Sequence, residues 1–110
     1  MIKGKIVRVR LRRDFFEQRL WVFVGRVVEF SEHWVMIEGK GLTVLRRALL
    51  DVDIEPEMRI VLIPRDNIAV IRVLPDNFDL NNIRTVNKGH KLCLVVENGP
   101  DATIAELGEV

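Results

Sequence analysis

The stretch Ile60–Pro75 restricts this chain more than any other. Two β-branched runs, Ile60–Ile63 and Ile68–Val73, flank the turn formers Pro64, Asp66 and Asn67. Runs of this composition and length, bounded by such residues, read as a pair of strands, and Pro64 rules out a continuous helix. Along the second run, Ile68, Val70, Arg72 and Leu74 are expected on one side and Ala69, Ile71 and Val73 on the other. A strand that is apolar on almost both faces needs burial against more than its own small sheet. A second copy of the chain is the economical cover. The residues expected at that contact are Ile60, Leu62, Ile68, Val70, Ile71 and Val73.

The rest of the chain repeats the strand pattern. In Lys5–Arg12, Val7, Val9 and Leu11 alternate with Arg8, Arg10 and Arg12, the signature of a half-buried strand. The arginine side is open to two readings, a phosphate-binding row or a wet face that protects an edge. Leu20–Phe30 reads as a long strand, and Gly25 within it marks a bend, a bulge or a close backbone approach. Ser31-Glu32-His33 is a tight turn, Trp34–Glu38 returns as a third strand, and Gly39-Lys40-Gly41 end or bend it. One helical turn is expected over 46–52, then a solvated acidic loop from Asp51 to Glu57. The polar connection 14–19 holds Phe15 and Phe16, with one or both expected under the sheet. Pro75–Asn82 reads as a linker or extended connection. Beyond it, Lys91–Val96 and Ala102–Leu107 pair as a hairpin around Asn98-Gly99, a strong turn signal. The expected organisation is therefore a barrel over 1–76 and a linker with a C-terminal hairpin extension over 77–110.

Composition narrows the function classes. Hydrophobic residues are 48% and charged residues 30% of the 110, which suits a soluble folded domain and not a disordered chain. No apolar run approaches a membrane span, and the N-terminal residues have no signal-peptide core. With a lone cysteine, Cys93, a disulfide framework and a cysteine-rich zinc site are excluded, and the cytoplasm is the expected compartment. Cys93 itself reads as an inert buried thiol. Net charge is +1, but residues 1–50 hold 11 lysines and arginines against 5 acids, and 51–110 hold 6 against 11. That asymmetry fits a basic surface over a phosphate backbone or charge-oriented contact between subunits.

Sites for chemistry are sparse. Ser31 has no histidine–carboxylate relay written around it, and Gly39-Lys40-Gly41 lacks the rest of a phosphate loop. His33 and His90 alone do not reach a metal-ligand count. The expectation is no catalysis, no cofactor and no metal.

Phe23–Ile37, with its central Gly25 and short turn, together with Ile60–Pro75, resembles the two motifs of the Sm-like family over about residues 5–75. The resemblance implies a strongly bent five-stranded barrel, here with an added C-terminal hairpin. It also implies homo-oligomeric rings made by pairing the fourth strand of one subunit with the fifth of the next. Many members bind uridine-rich or adenine-rich RNA at the ring pore. Counted from Gly25, the base-stacking position falls on His33 and the acidic one on Ser31. The base-reading asparagine is replaced by Val35, and Pro64-Arg65 stands where Arg-Gly is usual. Valine offers no paired donor and acceptor to a base edge. His33 and Trp34 can still stack on a base, and Arg65 can still meet a phosphate. The expected nucleic-acid-binding residues are His33, Trp34, Arg65, Arg8, Arg10 and Arg12. A ring-forming scaffold that binds protein partners and has lost RNA is the competing expectation.

Overall fold

The computed structural model describes residues 2–13, 19–46, 49–97 and 99–106. The β-branched and alternating runs form strands β1 (Ile6–Leu11), β2 (Trp21–Phe30), β3 (Trp34–Arg46), β4 (Leu50–Ile54), β5 (Arg59–Pro64) and β6 (Ile68–Val73). Three further strands follow, β7 (Thr85–Lys88), β8 (Lys91–Leu94) and β9 (Ala102–Glu106). The first six make one antiparallel sheet in the order β4-β3-β2-β1-β6, with β5 paired to β3, and the last three a second sheet in chain order.

Two glycines shape the first sheet. Gly25 of β2 and Gly39 of β3 lie directly opposite one another. A Cβ on Gly39 would stand 2.0 Å from the Val24 carbonyl oxygen, and one on Gly25 would stand 2.4 Å from that of Glu38. Neither glycine needs a left-handed backbone; both are needed because the two chains press together here. At this point β3 changes partner. Its first half, Trp34–Gly39, pairs with β5, and its second half, Leu42–Arg46, pairs with β4.

The bend leaves two apolar layers. Inside it, Val7 and Val9 of β1 meet Phe23, Val27, Val35, Ile37 and Ile63, with Ile68 and Ile71 of β6 packed against them. On the other face, Ile6, Val22, Val24, Leu42, Val44, Leu50 and Leu74 meet Leu92, Leu94, Val96, Ala102, Ile104 and Ala105 of the C-terminal segment. Burying each such branched side chain contributes about 1.5–3 kcal/mol relative to leaving it in water.

Several expectations are corrected. The all-β class stands, but the first sheet has six strands and does not close into a barrel: among the described residues, β5 and β6 do not pair with each other. Residues 50–52 are not helical and 51–54 are not a loop. Leu50–Ile54 is β4, with Leu50 inward and both aspartates outward, because the free second half of β3 offers its backbone groups as partners. The C-terminal segment is a three-stranded sheet, since β7 adds to β8 through a two-residue turn with Gly89 at φ 63°. Phe15, Phe16, Asn98 and Leu107 lie outside the described residues. No helix among the described residues is long and apolar enough to cross a membrane.

Candidate nucleic-acid interface

The turn between β2 and β3 and the connection between β5 and β6 meet at one end of the bent sheet. They meet because Trp34, the first residue of β3, pairs with Pro64, the last of β5. Residues Arg65–Asn67 then form a single 3-10 turn. The Arg65 N–H donates to the His33 carbonyl at 2.9 Å. The Arg65 guanidinium reaches across, donating from Nη1 to the carbonyls of Ser31 (3.1 Å) and Glu32 (3.2 Å). It also lies over the Phe30 ring, 4.6 Å from its centroid, a cation–π contact.

Ser31 fixes the other half of the junction. Its Oγ accepts from the N–H groups of His33 (3.3 Å) and Trp34 (3.1 Å), while its own N–H donates to the Trp34 carbonyl at 2.9 Å. A hydroxyl closing its own turn in this way holds His33 outward without help from a ligand. His33 and Arg65 are exposed and Trp34 is half-buried. The end of β1 arrives at the same place, where the N–H of exposed Arg12 donates to the Asn67 carbonyl at 2.7 Å. Val35, where the Sm-like resemblance expects a base-reading amide, is wholly buried in the inner layer and presents no accessible polar side-chain atom.

The structure therefore brings His33, Trp34 and Arg65 together, with Arg12 beside them. The arginine row as a single open face is corrected. Arg8 is only 7% exposed and donates from Nη1 to the Thr103 carbonyl of β9. Arg10 is half-buried on the same face of β1. Strand alternation tells one face from the other; it does not tell water from a second sheet. Sequence reasoning also missed Phe30, the platform under Arg65. Its signal is an aromatic placed at the last residue of an otherwise exposed strand end.

The expected contact residues divide in two. Ile60 and Leu62 of β5 and Val70 and Val73 of β6 are 50–60% exposed. Ile68 and Ile71 instead lie half-buried against the inner layer. Ile68 leaves the side expected for it because a bulge between Arg10 and Leu11 sets Leu11 opposite Ile68 and skips Ala69. Among the described residues, β5 pairs only with β3 and β6 only with β1, so each has one unpaired edge. Among the described residues there is also no group of three or more histidine, cysteine or acidic side chains placed to share a metal. Compared with protein-family models, with curated proteins and with solved structures, the chain matches none of them.

Proposed function

We propose that this chain is a self-assembling Sm-like subunit that binds single-stranded RNA or a nucleotide without catalysis. One observation carries the reading. The β5–β6 connection folds onto the β2–β3 turn, so exposed His33 and Arg65 stand side by side on a molecule with two unpaired apolar edges. Pairing β5 of one copy with β6 of the next satisfies both rows of backbone groups and covers Ile60, Leu62, Val70 and Val73. Such a head-to-tail contact makes a ring when its rotation closes. Each copy then presents one His33–Arg65 junction. The imidazole offers a stacking face, and the guanidinium donors not used on Ser31 and Glu32 are available to a phosphate. With Val35 buried, binding is tolerant of base identity and steeply salt-dependent.

A second reading has its own observation. Arg65 is already bonded to two carbonyls and stacked on Phe30, as a structural arginine would be. A ring that holds protein partners and not RNA accounts for this equally well. Light scattering and an oligonucleotide titration separate the two. The first reading requires a particle mass that is an integer multiple of 12.7 kDa. It also requires low-salt binding of a fluorescent single strand that weakens by about tenfold in His33→Ala, the worth of one stacked base. A multimer that ignores the oligonucleotide supports the scaffold. A stable monomer removes both.

A further inference from the structure

The face of β1 that carries Arg8 holds a cationic row. Arg72 of β6 lies directly opposite Arg8, Arg8 opposite Val24, and Val24 opposite Lys40 of β3. Directly opposed residues share a face, so two guanidinium groups and an ammonium cross the sheet in line. Arg10, two residues from Arg8, is on that face as well. Like charges set opposite one another are unfavourable, and burial makes them more so.

Arg8 is the centre of the problem. It is more than nine-tenths buried, it donates to the Thr103 carbonyl, and among the described residues its buried Nε has no partner. Burial and then the charges of Arg72 and Arg10 pull its pKa below the ordinary arginine value. A buried charge is tolerated when it is paired, and a buried orphan N–H costs about 1–3 kcal/mol. Arg72, half-buried, forms part of the wall of a cleft of about 310 Å³ between the end of β6 and the β8–β9 connection, lined also by Leu74, Pro75, Val96, Gly99 and Pro100. This is a pocket with apolar sides and arginine at one wall, at the end of β6.

We propose that this cleft binds a phosphate group, held by Arg72 and offsetting the cationic charge that Arg72 shares with Arg8 opposite it in the sheet. The phosphate comes free or on a small organic carrier such as a nucleotide. Arginine is suited to the task because its planar fork meets two oxygens of an oxyanion at once. The site uses none of the His33–Arg65 junction, so it stands whether or not that junction binds RNA.

The test compares the full chain in inorganic phosphate and in chloride at matched ionic strength. Unfolding temperature should rise saturably by about 5 °C in phosphate alone. Calorimetric titration with phosphate should lose about tenfold in affinity in Arg72→Gln, recover in part in Arg72→Lys, and stay unchanged in Lys3→Gln, an exposed cation paired with Glu29 and outside both sites. Arg72 is chosen because Arg8 also holds β9, and its replacement confuses binding with folding. A nucleoside monophosphate that binds more tightly than phosphate, with the gain lost in Arg72→Gln, assigns the site to a nucleotide, and equal affinities assign it to the free oxyanion. Stabilisation by chloride as strong as by phosphate overturns the proposal, as does phosphate binding that survives Arg72→Gln or a bare nucleoside that binds as well.

Discussion

The two apolar layers share the same strands but are closed in different ways. The outer one is sealed within the chain: Leu92, Leu94, Ala102, Ile104 and Ala105 lie over Ile6, Val22, Val24 and Leu42, and all nine are buried. The inner one is wrapped by the bend of its own sheet, and the wrapping stops at β5 and β6, where Ile60, Leu62, Val70 and Val73 stay exposed. Covering a face takes a second sheet, which this chain supplies. Covering an edge takes another strand, and among the described residues none lies on the open edges of β5 and β6. Stability should therefore reside in the sealed layer and the bend, and association in the open edges.

The largest effect is expected where the two layers are created. Gly39→Val puts side-chain atoms where the Val24 carbonyl stands, and neither strand can retreat without losing its register with Gly25. The loss should reach about 4 kcal/mol or more, a large share of the total stability of a domain of this size. Circular dichroism in urea measures it; a cooperative transition near the wild-type midpoint would mean that the bend is not set by close approach. Next comes the sealed layer. Leu94 is wholly buried, and Leu94→Ala should cost about 3 kcal/mol at any protein concentration. A cost that shrinks as the protein is diluted would show that the C-terminal sheet is exchanged between copies.

The bend was legible because Gly25 interrupts a run that otherwise has no use for glycine. Strands β1, β2, β5 and β6 were legible from alternation and β-branching. β4 was not, since Leu50-Asp51-Val52-Asp53-Ile54 alternates over only five residues and its acids suggest a loop; the free half of β3 decides the matter. β7 carries a single large apolar residue, Val86, and becomes a strand only because β8 lies beside it. The nearness of His33 and Arg65 was readable only through the Sm-like resemblance, for they are far apart in the chain. The burial of Arg8 was not readable at all. Whether alternate residues face water or another sheet depends on contacts made nearly a hundred residues away, at Thr103.

A smaller effect tests the polar fastenings of each layer. Burial alone would raise the Glu55 carboxyl, but hydrogen bonds from Arg59 Nε (2.9 Å) and the Gly41 N–H (2.6 Å) outweigh it and hold the pKa below its ordinary value. Asp101 is lowered by Lys88 at 2.6 Å and by the Val96 N–H at 2.9 Å, and Lys88 is raised in return. A lowered acid contributes stability that is complete above its unfolded pKa and lost as pH falls through the folded value. A raised lysine contributes stability that is complete below its unfolded pKa and lost as pH rises through the folded value. From these groups, stability should be flat between about pH 5 and 10 and should fall in acid below about pH 4. Glu55→Gln should cost about 1 kcal/mol at neutral pH and blunt the acid limb. An acid limb unchanged in that variant would mean that the turn beside Gly41 is held by packing alone.

The smallest effect on the isolated fold is the one that bears most on the comparison. Leu62 of β5 is 54% exposed beside an edge unpaired among the described residues, so Leu62→Lys removes little intramolecular packing and should shift unfolding by less than about 0.5 kcal/mol. Placed at a contact between copies, the same lysine puts a charge into an apolar seam, and lysine on an edge is how sheets resist pairing. The particle mass should drop to the 12.7 kDa of one chain while the circular dichroism spectrum stays as it was. Val70→Lys on the opposite edge should do the same, because a head-to-tail contact needs both edges. Mixing the two variants tests the direction of the contact: each keeps one sound edge, so together they should form pairs that neither forms alone. A variant that keeps its mass, or a mixture that stays monomeric, would place the contact elsewhere and leave β5 and β6 as exposed strands without a partner.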